Sequence, residues 1–531
     1  MRSLMADERR APSTPRANVK MVIDGQAHEF PAGLTILEAC QRVGIKVPFF
    51  CWHPGLSAPA VCRQCLVEIK GFPKPIPSCY TAVADKMEVV SNSPKVLDVR
   101  RQMLEFTLLN HPIDCPICDK AGECMLQKHY CDWDARVARN DGGKVHKAKV
   151  VDIGRYIVLD QERCILCTRC IRVCNEVARQ PDLVMAFRGD RQLLTTAPGQ
   201  RLDNPYSLNT VDVCPVGALT AKDFRFSMRA WELWATPSLC PGCATGCNVE
   251  IHAARNVIRR LVPRLNPAVN KYWMCDEGRL TYQPVHENRL AAPMIAGAPA
   301  SWDAALAEAA RLLGQARDNS PLTLGVVLSA QMTNEDLFAF SRLAAEDLRT
   351  HRVYLAGAPE GWCDDILVSA DKNPNTTGAK LIGGPTLRSA ADLKRDLESR
   401  VVTALLLVGE SDAIGSLDLL QTLVVVTAHQ GPPVAAVHVA LPLAMWAEVD
   451  GSFTNRQGKV QRLYPAVAAA GQARPGWETA ARLGRALGAA WTYGDAKQVF
   501  NEVCAKVTLM SRADWGKPEM PVQLRFASSR G

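Results

Sequence analysis

Fifteen cysteines and one histidine, all within the first 275 residues, fall into four sets with metal-ligand spacing. The first is Cys51, Cys62, Cys65 and Cys79, written C-x10-C-x2-C-x13-C. Four thiolates on one loop suit a [2Fe–2S] cluster, because soft sulfur satisfies iron and loop amides can bond the sulfurs. Its first gap is longer than that of the plant-type C-x4-C-x2-C run. A structural zinc site is the rival. The second set, His111, Cys115, Cys118 and Cys124 (H-x3-C-x2-C-x5-C), could hold zinc or a [4Fe–4S] cluster with one imidazole ligand. A neutral imidazole in place of a thiolate makes a cluster less negative and raises its potential. A lone histidine beside a proline is usually a turn residue, but the three adjoining cysteines reverse that preference.

The third set begins Cys164, Cys167, Cys170 and Cys174, a C-x2-C-x2-C-x3-C run. In two-cluster ferredoxins such a run gives three ligands to one cluster and its last cysteine to the other. The partner run should end at Cys214-Pro215, yet the same spacing counted back meets Thr210, Ser207 and Asn204, none of them a thiol. One [4Fe–4S] cluster on Cys164, Cys167, Cys170 and Cys214 is therefore expected, with Cys174 left to pack as a small hydrophobe. The fourth set, Cys240, Cys243, Cys247 and Cys275, is spaced C-x2-C-x3-C-x27-C with Gly and Pro between the thiols, and reads as a further [4Fe–4S] site with zinc as the alternative. Cys40, Cys131, Cys363 and Cys504 read as plain packed or surface thiols.

The elements that must position these sets can be sketched from pattern. Residues 19–30 alternate apolar and polar around Asp24-Gly25, a hairpin signal, and Thr35 with Glu38 has the form of a capping box ahead of Ile36, Leu37, Cys40 and Val43 at helical spacing. Hairpin then helix opens a β-grasp ferredoxin domain. A helical pattern from about residue 95 breaks at His111-Pro112. Beyond residue 293, Ala/Leu-rich runs such as SWDAALAEAARLLGQARD alternate with LTLGVVL, ALLLVG and TLVVVTA, which predicts an α/β layer with a largely parallel sheet.

At 531 residues, with 47% apolar and 22% charged, the chain has ordinary globular composition and room for three or more domains. A net charge of +8 without a basic run interleaved with aromatics makes nucleic acid an unexpected partner. No apolar stretch is long enough for a membrane-spanning helix. The Arg-rich residues 1–18 read as a flexible arm, and cysteines grouped in a long chain without an export signal point to a reducing compartment.

Taken in order, the four sets resemble the large iron–sulfur subunit of respiratory NADH–quinone oxidoreductase (complex I), from about residue 19 to 290. The region after it, most visibly WAEVDGSFTNRQGKVQRL at 446–463, resembles the molybdopterin oxidoreductases. The resemblance implies a multidomain α+β and α/β fold: an arm at 1–18, a β-grasp [2Fe–2S] ferredoxin domain at 19–95, a [4Fe–4S] segment with one histidine and three cysteine ligands at 96–150, a single-cluster ferredoxin-like domain at 151–230, a molybdopterin-oxidoreductase-type [4Fe–4S] domain at 236–292, and a truncated α/β region at 293–531. It implies one [2Fe–2S] and three [4Fe–4S] clusters and no molybdenum. FMN and NADH would sit on a partner subunit, and further iron–sulfur subunits would stand downstream. The chain would relay electrons toward quinone on the cytoplasmic side of a bacterial inner membrane, with membrane contact only through partners and no catalytic residue of its own. The alternative is the iron–sulfur part of a molybdenum-dependent formate dehydrogenase or of an NAD-linked hydrogenase.

Overall fold

The computed structural model of the chain describes residues 18–133, 139, 142–410, 417, 420–431, 437–516 and 522–523. The expected arm at 1–18 lies, apart from Asn18, outside them. The described residues divide into two compact units, one running to Glu232 and the other from Leu233 to Gln523.

The first unit opens as the sequence pattern requires. Strands β1 (Asn18–Ile23) and β2 (Gln26–Pro31) pair antiparallel across Asp24 and Gly25, whose φ angles of 48° and 82° supply the left-handed turn that matches strand twist. Helix α1 (Ile36–Arg42) starts at a full capping box: Glu38 N–H donates to Thr35 Oγ1 at 3.2 Å, and Thr35 N–H donates to the Glu38 carboxylate at 2.8 Å. With β3 (Leu66–Ile69), β4 (Ile76–Pro77) and β5 (Glu88–Val90) the hairpin builds a five-stranded sheet ordered β2-β1-β5-β3-β4, in which β1 and β5 run parallel. Its core joins Met21, Ile23, Phe30, Ile36 and Leu37 to Cys65 and Cys79, so two thiols of the first set are core residues.

Helix α2 (Pro94–Leu109) is capped by Ser93 and ends just before His111-Pro112; α3 (Met125–Trp133) follows the second set. Then come β6 (Val151–Asp152), β7 (Ile157–Leu159), α4 (Arg169–Arg172) running into a π-helical turn at Val173–Ala178, the hairpin β8 (Leu183–Ala186) and β9 (Leu193–Thr196), α5 (Asn209–Val213) and β10 (Leu219–Ala221). Strands β10, β7 and β6 form one small sheet. Ile157, Leu159, Leu183, Leu194 and Val216 share a core with Phe50, Cys51, Cys124, Cys167, Cys170, Cys174 and Cys214.

In the second unit β11 (Trp234–Leu239), β12 (Asn248–Ala254) and β13 (Val257–Pro263) form an antiparallel sheet, and the four-residue α6 (Asp276–Arg279) follows. The larger layer has strands β14 (Met294–Ile295), β15 (Ala298–Pro299), β16 (Leu324–Ser329), β17 (Val353–Ala356), β18 (Arg388–Ser389), β19 (Ala404–Val408), β20 (Thr422–Thr427) and β21 (Val439–Pro442). They pair in the order β15-β14-β21-β20-β19-β16-β17-β18, parallel from β21 to β18. Every residue of β16, β19, β20 and β21 is buried, as expected of parallel strands covered on both faces. The cover on one face includes α7 (Trp302–Asn319) and α8 (Asn334–Arg342). The chain steps outward from β16 to β18 and resumes at β19 on the other side of β16, so strand order reverses between β16 and β19. The segment 446–463 forms a hairpin of β22 (Gly451–Thr454) and β23 (Val460–Leu463).

Candidate metal centres

The first set gathers four thiols from the loop after α1 and from the two ends of the β3-β4 hairpin. Cys51, Cys65 and Cys79 are buried and Cys62 is half-buried. Two backbone amides, those of Phe50 and Cys51, donate to Cys62 Sγ at 3.4 and 3.5 Å. The thiols also bond one another. Hydrogen bonds from Cys62 and Cys79 pull Cys51 well below the ordinary thiol range, and one from Cys79 lowers Cys65, while Cys62 and Cys79 are pushed up as the donors. Four sulfurs sharing protons in one buried place is a donor set that a metal core fits, because the metal replaces protons with compensating charge.

In the second set Cys118 stands within electrostatic reach of both Cys115, on the 3-10 turn Cys115–Ile117, and Cys124, at the entry to α3. Cys124 Sγ accepts from Gln127 N–H at 3.5 Å. The backbone of Gly217, in the CPVGAL run that carries Cys214, presses on this set: a Cβ there would lie 2.3 Å from Cys118 Sγ. His111 follows the C-cap of α2, and its buried Nδ1 has no hydrogen-bond partner. Burial, with Asp114 opposing and Arg163 assisting, lowers its pKa to about 4, so the imidazole is neutral at physiological pH, the form that binds metal.

The third set lines one space. Cys164, Cys167, Cys170 and Cys214 surround it together with Met185, Leu194, Val216 and Leu219, leaving about 340 Å³ free of atoms, part of it open to solvent. Leu166 and Thr168 take left-handed φ angles of 55° and 63°. Such alternation turns successive amides inward toward an anion; Leu166 N–H bonds Cys164 and Arg169 N–H bonds Cys167. Burial raises both thiols, to about 12 and about 11. Cys174 lies outside this space, fully buried on the π-helical turn. Asn204, Ser207 and Thr210, the residues found at the missing thiol positions, are buried too. Asn204 Nδ2 donates to Asp182 at 2.7 Å and lies 3.9 Å from Cys174 Sγ.

The fourth set stands at the ends of β11 and β12 and at the N-cap of α6. Cys240, Cys243, Cys247 and Cys275 line a second space of about 370 Å³, again partly open, with Met274, Leu367 and Val368. Cys240 Sγ accepts from Gly242 N–H at 3.5 Å, and Cys275 Sγ from Gly278 N–H at 3.3 Å. A Cβ on Gly278 would sit 2.8 Å from Cys240 Sγ and 3.2 Å from Cys275 Sγ, so glycine is required by the close approach of chain to sulfur. Among the described residues no group of three or more His, Cys, Asp or Glu side chains closes on a single-ion centre. The third and fourth sets each line one space.

Comparison with known proteins follows the same order along the chain. Residues 16–94 match a 2Fe-2S iron-sulfur cluster binding domain, 100–132 an NADH-ubiquinone oxidoreductase-G iron-sulfur binding region, 154–220 an NADH-quinone oxidoreductase subunit 3 ferredoxin-like domain, 234–287 a molybdopterin oxidoreductase Fe4S4 domain, and 375–486 a molybdopterin oxidoreductase family. The NADH-quinone oxidoreductase G subunit of Streptomyces coelicolor is 37% identical over 64% of this chain and 41% of its own length. The chain is homologous to the large iron–sulfur subunit of that oxidoreductase. The NADH-ubiquinone oxidoreductase 75 kDa subunit of Reclinomonas americana is 42% identical over 52% of this chain and 40% of its own. The chain thus spans about two-fifths of the length of these relatives. A solved NAD+-reducing [NiFe]-hydrogenase in the H2-reduced state is 30% identical over 40% of this chain and 92% of its own, at a TM-score of 0.37, too low for a structural argument. The names of the Streptomyces coelicolor and Reclinomonas americana relatives do not favour the formate dehydrogenase or hydrogenase alternative.

Two features escaped sequence reasoning. One is a cavity of about 450 Å³ at the carboxyl ends of β16, β19, β20 and β21, lined by Met332, Thr333, Glu410, His429 and Met445 among others. The strand-order reversal that places it is invisible until the pairing is known. The other is a group of buried arginines in the first unit: Arg100, on the Leu66 carbonyl beside Cys65, and Arg163, Arg169 and Arg172, which reach from the third set to segments beside the first and second. Only the recurrence of Arg163, Arg169 and Arg172 at multiples of three beside Cys164 to Cys174 could have signalled them.

Proposed function

We propose that this chain is the iron–sulfur electron-relay subunit of an NADH–quinone oxidoreductase. In this reading Cys51, Cys62, Cys65 and Cys79 hold a [2Fe–2S] cluster. Three [4Fe–4S] clusters are held by His111 with Cys115, Cys118 and Cys124, by Cys164, Cys167, Cys170 and Cys214, and by Cys240, Cys243, Cys247 and Cys275. The domain boundaries at 19–95, 96–150, 151–230, 236–292 and 293–531 belong to the same proposal. So do a flavin- and NADH-binding partner, downstream iron–sulfur partners, a position on the cytoplasmic side of a bacterial inner membrane, and a C-terminal region that carries no molybdenum. Among the described residues no helix is long and apolar enough to cross a membrane.

The observation that carries the reading is the recurrence of one local arrangement four times: buried thiols gathered from short loops, with backbone N–H groups aimed at sulfur. When bound, the clusters would supply one-electron capacity. The chain's own residues do the rest. The loops fix the spacing between sets, apolar neighbours such as Phe50, Leu194 and Val216 keep water from the sulfurs, and the amides stabilise negative charge there.

The test is a count of iron and acid-labile sulfide per chain in anaerobically purified protein, with electron paramagnetic resonance of the reduced state. One [2Fe–2S] and three [4Fe–4S] clusters require about fourteen irons, and a value of about ten removes one four-iron set. A colourless, zinc-loaded sample overturns the reading.

A further inference from the structure

Two arginines join the first thiol set to the third. Both lie on α4, within the third set, and are 5% and 8% exposed. Arg169 Nη2 donates to the carbonyl of Trp52 at 2.5 Å, and its Nη1 to the carbonyl of Val213 at 3.0 Å, one residue before Cys214. Arg172 donates to the carbonyls of Cys51 and Ser57 and, at 3.4 Å, of Cys167. Each guanidinium therefore touches backbone next to, or belonging to, ligands of both sets.

Among the described residues no carboxylate closes on either charge. Among the described residues neither arginine has an ion-pair partner. Glu176, one turn beyond Arg172, favours its charge from a distance, but the carboxylate itself bonds the N–H of Ser57 at 2.8 Å. Arg169 Nε is buried without a partner. Arg163, which lies between the second and third sets, differs: Asp114 takes it at 2.6 Å and Asp160 at 3.3 Å. Two neighbouring buried cations bonded only to neutral groups, carbonyls together with the Met125 thioether and the Thr168 hydroxyl, repel one another and should not persist unless strong negative charge stands close by. Apart from Glu176, the groups facing them that can carry such charge are thiols: Cys167, Cys214 and Cys51 for Arg169, and Cys167, Cys51 and Cys170 for Arg172.

We propose that Arg169 and Arg172 are the buried countercharge shared by the metal groups of the first and third sets, holding the Cys51 loop against the Cys164–Cys170 loop and raising the reduction potentials of both together. The inference rests on the cluster assignment above. A fixed cation in a low-dielectric site stabilises the reduced, more negative state of any cluster near it. A cation shared by two clusters moves both potentials the same way, so neither becomes a trap for the electron passing between them. Both arginines are positioning residues; they act through charge and backbone contact, and neither ligates metal.

The test uses the full chain with clusters loaded, in the variants Arg169→Gln, Arg172→Gln, Arg169→Lys and Arg172→Lys. Each is followed by iron and sulfide count and by a redox titration read by electron paramagnetic resonance. In each Gln variant the oxidised-to-reduced ratio of the first- and third-set signals, at the wild-type midpoint, should rise about tenfold, equivalent to a fall of about 59 mV for a one-electron couple. The fourth-set signal should stay in place, and the Lys variants should restore most of the shift. If a Gln variant loses iron, the loss should come from both sets together and the matching Lys variant should regain it. Unmoved potentials in a fully loaded Gln variant overturn the proposal, as do Lys variants that behave like Gln, since packing alone would then explain the arginines. A wild-type chain that carries no iron fails the cluster assignment itself, and the countercharge falls with it.

Discussion

The two units bury ionisable groups for different reasons. In the first, the cores are built around thiols: Cys65 and Cys79 belong to one apolar cluster, and Cys51, Cys124, Cys167, Cys170, Cys174 and Cys214 to the other. In the second, the main core is Leu, Val, Ala and Phe packed on the parallel sheet, and its buried acids include Glu335 and Asp336 at the start of α8, held by Ser452, Thr333 and the Trp477 N–H. In the proposed reading the first unit's interior answers to metal; the second, away from its cysteine corner, buries acids that hold protons.

The harshest way to break that contrast is to strip the iron with an anaerobic chelator and follow amide hydrogen exchange. Strands β1, β5, β7 and β10 should lose protection by roughly a hundredfold or more, because metal binding is folding energy where the ligands are the core. Strands β16, β19 and β20 should keep theirs. Equal loss in both units would erase the distinction.

A smaller effect separates the units by pH. Burial raises Glu335 to about 8 from its ordinary 4.5, and burial raises Asp336 to about 6. The folded state then holds protons that the unfolded chain has released, so stability is greatest at the acid side and falls as pH climbs from about 4.5 toward 8, by at most about 1.4 kcal/mol per pH unit for one group. Glu335→Gln should flatten that slope in thermal unfolding of the second unit between about pH 6 and 8. A slope unchanged in the variant would mean that Glu335 does not set it.

The smallest effect concerns Cys174. It is buried like its neighbours but stands outside the space they line, so Cys174→Ala should leave the iron count unchanged and cost about 1 kcal/mol of stability for the lost sulfur contacts. Loss of about four irons would return Cys174 to the ligand set.

Local features were legible because they depend on neighbours in sequence. The Asp24-Gly25 turn, the Thr35-Glu38 capping box and the alternation of strands with helices from β16 to β19 all formed where the residue pattern put them. The thiols grouped by spacing as the third and fourth sets each line one space, since their loops are short and mostly continuous. What could not be read depends on distant pairing. The contact of Gly217 with Cys118, the reach of Arg169 to Trp52 and the cavity at the strand-order reversal each join segments far apart in the chain. Arginine in particular reads as surface until the carbonyls that surround it are known.

The amides aimed at sulfur also govern which sequences the loops can accept. At Cys62, Cys118, Cys164, Cys167 and Cys240, among others, a donating N–H belongs to the residue two positions on: Gln64, Lys120, Leu166, Arg169 and Gly242. Proline has no such hydrogen to give. It accordingly stands immediately after a cysteine, at Pro116, Pro215 and Pro241, and at none of those five donor positions. The loops admit the rigid residue one step from the ligand and exclude it at the next, so a proline scan of these five positions traces which amides the sulfurs need.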